Sequence, residues 1–406
     1  LLSGKNPGRL HLTTFLPGRP DAASQAVLHP EIMMHLPLSE KLMPRYFSEQ
    51  GYATALIGKW HVGGAGFGPL EHGFDEYDPG QANTIPGETE GGKGEYDLTF
   101  KSLDFIARNK RKPFLLYLGH NTPHIPYTAK PHLIEKNKNA FEPVYAALIE
   151  TLDDTVGIIL QRLRELDLEN ETILIFTSDN GGLHVPELAH QRVTHNTPFR
   201  AGKGYVYEGG QRVPLIVRWP GKIPAGRVVE DPVINTDWLP TLLGLIGAPV
   251  PDHFDGMNTA PGMLGGAFPE RPFFWHFPHY TNQGGRPSGA MREGKWLLVE
   301  HYDEACDELF DLDADIGERL DVSKQYPEQV ERMKKALETY RLENNVQFNT
   351  SNPDFDEVLF EQLYRDFDGS MFDPLHAEAK TWEVAQKWRS LMDAVVSAKS
   401  SAKAGH

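Results

Sequence analysis

Apolar and polar positions follow two different periods along this chain, and each switch between them marks an element. Residues 38–50 carry a helical pattern stopped at Gly51, and Tyr52 to Ile57 then reads as a strand. Phe114-Leu115-Leu116-Tyr117-Leu118 is apolar throughout, as a strand buried on both faces requires. Between Pro143 and Leu166 the residues Leu148, Leu152, Val156, Ile159, Leu160 and Leu163 recur at spacings of three and four, which gathers them on one helical face. Thr172 to Thr177 (TILIFT) is a β-branched strand run, Val213 to Trp219 is another that closes at Pro220-Gly221, and Trp238 to Ile246 is a helix ended by Gly247. This alternation predicts an α/β fold, a mostly parallel central sheet sandwiched by helices, over residues 1–250.

From about Pro251 the character changes to Pro- and Gly-rich connections around short strands. Phe273 to Phe277, a hairpin over Gly289 to Val299 turning at Glu293-Gly294, and Glu308 to Leu312 precede a helix over Pro327 to Leu342. Residues 251–345 are therefore expected to form a smaller C-terminal α+β domain with an antiparallel sheet. Residues 346–406 are helical in pattern and end in SAKSSAKAGH, a polar tail expected to fray.

Charge narrows the partners. Among 406 residues, 40 Lys and Arg stand against 56 Asp and Glu, a net charge of −16, which argues against nucleic acid or an anionic membrane as the main partner. A local basic site for one small anion stays open. No apolar run approaches the roughly 18 residues of a membrane span. The lone cysteine, Cys306, excludes an internal disulfide framework and a Cys-based zinc site.

Four polar segments fall at or beyond predicted strand ends, where ligands of open α/β sheets bind. In GYATALIGKWH, Lys59 and His61 are two residues apart, so a strand continuing through Gly58 projects both from one face. The pair offers a fixed positive charge and a group that exchanges protons near neutral pH; a solvent-facing lysine beside an ordinary histidine is the alternative. Asp179 and Asn180, in Ser178-Asp179-Asn180-Gly181-Gly182, are hard oxygen donors suited to Ca2+ or Mg2+, although an Asn-Gly turn is also a common way to leave a strand. Calcium takes roughly six to eight oxygens, so these two residues need further ligands. Lys203, between Gly202 and Gly204, can approach an anion closely, but its surroundings lack the spacing of a nucleotide-binding phosphate loop; a surface loop is the alternative. His124, in His120-Asn121-Thr122-Pro123-His124, follows the FLLYL strand and is placed to meet the same anion.

Together these segments resemble the sulfatase family of the alkaline-phosphatase-like superfamily. GYATALIGKWH is similar to that family's second signature, while HNTPHIPY, FTSDNGG and FRAGKGYVYEGGQRVPLIVRWPG look like its later blocks. PSGAMREGKWLL and ELFDLDADIGE look like its small second domain, so the resemblance covers roughly Leu1 to Leu342. It implies a formylglycine-dependent sulfuric ester hydrolase using Ca2+, or Mg2+. By the same resemblance Asp179 and Asn180 ligate the cation, Lys59 and Lys203 hold the sulfate, and Lys203 also lies near the leaving-group oxygen. His61 pairs with the formylglycine, made from Cys or Ser, and acts as base when sulfate is expelled; His124 binds the sulfate and helps protonate the departing alcohol. Cations gathering the sulfate oxygens while charge develops on the ester oxygen is the electrostatic logic of phosphoryl transfer.

The family's nucleophile motif, Cys/Ser-x-Pro-Ser-Arg, does not occur in the 406 residues. LLSGKNPGR is similar to the run that follows that motif, so the nucleophile, its arginine and a further metal-binding Asp pair are expected upstream of Leu1. The chain is accordingly expected to be amino-terminally truncated and, alone, inactive. Cys306 has none of the motif's neighbours and reads as a structural or surface thiol. Trp275-His276-Phe277-Pro278-His279-Tyr280 offers aromatic faces and imidazoles for a sugar ring, with His276 as the expected contact and Arg286 and Arg292 as further candidates; a core aromatic cluster is the alternative. The expected substrate is a sulfated carbohydrate or aryl sulfate. A phosphoester hydrolase of the same superfamily and a non-catalytic sulfated-glycan binding protein are the other two readings. The resemblance also implies periplasmic or extracellular placement.

Overall fold

The computed structural model describes residues 1–80, 92–187 and 193–403. They form two compact units, each assembled from three stretches of chain. One comprises Leu1–Asn6, Met34–Phe176 and Ile216–Pro269; the other comprises Pro7–Met33, Thr177–Leu215 and Glu270–His406.

The first unit is built on a parallel sheet in which Ala53–Gly58 lies between Glu76–Asp78 and Phe114–Gly119. The central strand is buried at every position, as its unbroken run of small and apolar residues requires. Ala53, Ala55 and Ile57 pack with Leu98 and Phe105 of the helix Glu95–Asn109. The helix Met43–Glu49 is shorter than the pattern over 38–50 predicts, because Pro44 fits only the first turn, where no backbone donor is needed. It stops before Gly51, whose φ of +81° is the left-handed geometry that glycine tolerates at a helix end. Met43, Tyr46 and Phe47 form a second core with Trp238, Leu239 and Leu243 of the helix Trp238–Leu245. The long amphipathic stretch is the helix Pro143–Glu165, and its Ala147 and Leu148 bury against Ala129. Leu174–Thr177 pairs with Leu215–Arg218 in a separate two-stranded ladder, so the parallel sheet itself is smaller than the sequence pattern suggests.

The second unit centres on an antiparallel sheet in the order Cys306–Asp311, Trp296–His301, Ser288–Glu293, Phe273–Phe277. Period-two alternation sends Leu297 and Val299 to one face, where they meet Tyr205 and Tyr207 of the glycine-rich segment. Leu298 goes to the other face, against Val330 and Met333 of the helix Pro327–Glu343. Beyond residue 346 the predicted helix is interrupted: Thr350–Ser351 pairs antiparallel with Val27–Leu28 before the helix Ala379–Lys403. Pro353 biases Asn352 away from helical geometry, and the Asn352 amide donates to the carbonyls of Ala22 and Gln25 instead. Of the tail SAKSSAKAGH, residues 404–406 lie outside the described residues. Among the described residues no helix is long and apolar enough to cross a membrane.

Candidate active site

In the first unit, backbone bareness brings two strand ends together. A Cβ on Gly58 would stand 2.1 Å from the Gly119 carbonyl oxygen, and its φ of +103° is one that L side chains rarely adopt. The close approach lets the Lys59 N–H donate to that oxygen at 2.8 Å. The strand stops at Gly58, so half-buried Lys59 and exposed His61 lie beyond it, not inside a continuing strand. Gly119 leads directly into His120 and the turn in which the His124 N–H donates to the Asn121 carbonyl at 3.0 Å. The segments carrying Lys59 and His61 and carrying His124 therefore leave adjacent parallel strands.

His124 donates from Nδ1 to the Ile125 carbonyl at 2.7 Å, which fixes the neutral tautomer with its lone pair on Nε2. The same carbonyl accepts from Nζ of Lys93, a fully buried lysine, at 2.8 Å. Sequence reasoning passed over Lys93, although its flanking Gly92 and Gly94 are the signal that drew attention to Lys203. The ring nitrogens of His120 are covered and have no partner, and burial pushes its pKa down to about 4, so it is a neutral imidazole.

In the second unit, glycines knot two further segments. A Cβ on Gly181 would lie 1.7 Å from the Gly209 carbonyl oxygen, and the Gly181 N–H donates to the Gly210 carbonyl at 3.0 Å. The Lys203 N–H donates to the Gly182 carbonyl at 3.1 Å. Asn196 braces both sides: its Oδ1 accepts from the Gly182 N–H, and its Nδ2 donates to the carbonyls of Gly182 and Ala201, each at 2.9 Å. The Asp179-Asn180 turn and the Lys203 loop are thus one piece of backbone, a juxtaposition that no local pattern predicts.

That knot is anchored by buried charge. Arg200 lies over the Tyr207 ring at 3.8 Å and donates to Glu308 at 3.2 Å. Burial alone would raise the Glu308 pKa, but the hydrogen bond from His301 and the Arg200 charge overcome it and hold the carboxyl at about 2. Glu208, also buried, pairs with Arg292 at 3.1 Å.

Asp179 is exposed, with Oδ1 accepting the Asn180 N–H at 3.0 Å, and the Asn180 side-chain amide donates to the Gly181 carbonyl at 2.8 Å. Their remaining carboxylate and amide oxygens are donors of the kind a hard divalent cation takes. They fit such an ion in kind and would need further ligands beside them, since no group of three or more His, Cys, Asp or Glu is gathered among the described residues.

The sugar-binding expectation for His276 needs correction. His276 is buried in its strand, with Nδ1 against the Tyr302 hydroxyl and Nε2 against the Gln347 carbonyl, both at 2.9 Å. Both nitrogens are engaged by the fold, and burial pushes the pKa down to about 4. Arg286 is likewise committed, donating to Asp303 through Nε at 2.9 Å and Nη2 at 2.7 Å. With Arg292 on Glu208 and Trp275 packed on the sheet core, the WHFPHY segment is the core aromatic cluster. Cys306 opens the edge strand Cys306–Asp311 as an exposed thiol.

Comparison with known proteins bears on this arrangement. The profile of the family described as Sulfatase matches residues 4–248, well over half of the chain. The chain belongs to the sulfatase family. The profile described as N-sulphoglucosamine sulphohydrolase, C-terminal, matches residues 201–343 of this sulfatase-family chain. The N-acetylgalactosamine-6-sulfatase of Canis lupus familiaris is 35% identical over 289 residues, which cover 63% of this chain and 54% of the relative. The chain thus spans about half the length of the curated relatives it matches. The crystal structure of Ps i-CgsB superposes with a TM-score of 0.71 at 26% identity, covering 91% of this chain and 87% of that one. Ps i-CgsB in complex with k-i-k-neocarrahexaose gives the same TM-score at 24% identity, covering 96% and 85%.

Proposed function

We propose that this chain serves the hydrolysis of a sulfate ester on a sulfated carbohydrate, with a hexosamine ring as the sugar. The observation that carries the reading is the backbone knot that joins the Lys203 loop to the Asp179-Asn180 turn, which brings a cationic residue and two hard oxygen donors onto one piece of backbone. Lys59 and Lys203 neutralise the sulfate oxygens, and Lys203 also stabilises charge on the ester oxygen as the bond to sulfur breaks. His124 holds its lone pair on Nε2 in the neutral ring; protonated, it donates from there to the departing alkoxide. His61 serves as the base that releases sulfate. Asp179 and Asn180 would be two of the ligands of a Ca2+ or Mg2+ ion, which when bound would supply positive charge for the sulfate oxygens. Formylglycine supplies the nucleophile in such enzymes, and the 406 residues hold no Cys/Ser-x-Pro-Ser-Arg from which to make it. A polypeptide of these residues alone therefore leaves p-nitrophenyl sulfate unhydrolysed, and turnover by it would place the nucleophile elsewhere.

A sugar substrate is supported by the canine relative, which is named for N-acetylgalactosamine 6-sulfate. Calorimetric titration with N-acetylgalactosamine 6-sulfate, its 6-phosphate counterpart and the unsulfated sugar tests the reading. The sulfate ester should bind most tightly, and Lys203→Ala should weaken it at least about tenfold, the loss of one charge-assisted contact. Preference for the phosphate ester would favour the phosphoester hydrolase instead.

A further inference from the structure

Arg19 is 6% exposed, and its guanidinium is only partly bonded. Nη1 donates to the Thr281 carbonyl at 2.7 Å, whereas Nε and Nη2 are covered and meet no acceptor. Those two N–H groups are the side-on edge of the guanidinium, the fork that takes two oxygens of one carboxylate or sulfate. A buried cation without a counter-charge is strongly unfavourable, and folds keep one where an anion arrives. The carboxylate two residues on, Asp21, is engaged by His29: its Oδ1 accepts the His29 N–H at 2.9 Å and lies 3.7 Å from the His29 Nδ1. The His29 ring is also committed, with Nδ1 donating to the Arg19 carbonyl at 3.0 Å and Nε2 accepting the Tyr280 N–H at 3.1 Å.

Thr281 ties this fork to the Lys203 loop within the same unit. A Cβ on Gly204, the residue after Lys203, would stand 2.9 Å from the Thr281 hydroxyl oxygen. Phe15 and Pro17, close to Arg19 in the chain, are exposed. We propose that Arg19 is the anchor for a second oxyanion of the substrate, so that the preferred glycan carries, besides the sulfate ester bound through Lys203, either a second sulfate ester or a neighbouring uronate carboxylate. The inference rests on the sulfate-ester reading above and adds the substrate class to it.

The test is calorimetry on the 406-residue chain with three probes: N-acetylgalactosamine 6-sulfate, its 4,6-disulfate, and a 6-sulfated disaccharide carrying a glucuronate. One of the doubly acidic probes should bind about tenfold or more tighter than the first, the yield of a desolvated bidentate contact. Which one does so separates sulfate from carboxylate. Arg19→Gln should abolish that advantage while leaving the singly sulfated affinity within about twofold, and Arg19→Lys should restore part of it. Equal affinities for all three probes, or an advantage that survives Arg19→Gln, overturns the proposal. If no sulfated sugar binds, the sulfate-ester reading is what fails, and Arg19 is then judged by thermal stabilisation with malonate. Stabilisation in the wild type that is missing in both Arg19 variants supports the anion site, and its absence in the wild type refutes it.

Discussion

Replacing Glu318 by alanine removes a carboxyl that has no contact with solvent. Its two oxygens accept the backbone N–H of Glu208 at 3.2 and 3.1 Å, which fastens the end of the Lys203 loop to the segment beyond the antiparallel sheet. Alanine leaves that buried amide without an acceptor, a loss of about 1–3 kcal/mol, and the vacated side-chain volume adds about 1–2 kcal/mol, so urea unfolding should show a destabilisation of about 2–5 kcal/mol. Glu318→Gln keeps an acceptor oxygen and should lie within about 1 kcal/mol of the wild type below pH 4.5, where the wild-type carboxyl is protonated. Acidity supplies a second readout. Burial, and then the Glu208 carboxylate, push the Glu318 pKa well above the usual 4.5. A raised folded-state pKa means that the protonated acid contributes its full stability below 4.5 and loses it as pH rises through the folded value. Wild-type stability should therefore fall relative to Glu318→Gln as pH increases above 4.5. A pH-independent difference between the two, or an alanine variant within 1 kcal/mol of the wild type, would refute the reasoning.

Two further outcomes follow from the geometry. Gly58→Ala, with a Cβ 2.1 Å from the Gly119 oxygen at a φ of +103°, should lower stability by at least about 3 kcal/mol in thermal unfolding and weaken sulfate binding through displacement of Lys59. His184, His276 and His279 have pKa values pushed by burial to about 4, 4 and 3, from 6.5, so the stability they contribute is intact above pH 6.5 and lost as pH falls toward 4. Unfolding midpoints should drop across that window, and His276→Phe should lessen the drop.

Local pattern reached far into this fold. The helix Pro143–Glu165 and the strand Phe273–Phe277 follow from periodicity to within a residue, because each buries one continuous apolar face or run. The polar segments Lys59 to His61 and Asp179-Asn180 are legible because each follows an apolar strand run, and Gly181 and Gly182 let the second turn sharply. Periodicity says nothing about which distant segment packs against them. The contact of Gly181 with Gly209, the Lys93 bond to Ile125 and the orphan fork of Arg19 depend on tertiary placement, as does the engagement of both His276 nitrogens. A histidine in an aromatic strand reads alike whether it faces a sugar or a core, and only its partners decide.

Calcium-dependent sulfate binding is the most direct measurement. Titrated with inorganic sulfate, the chain should bind more tightly in the presence of Ca2+ than without it; Asp179→Ala should erase that dependence, and Lys203→Ala should weaken sulfate binding in both conditions. Affinities indifferent to calcium and unchanged in both variants would contradict the assignment of these residues to a sulfate site.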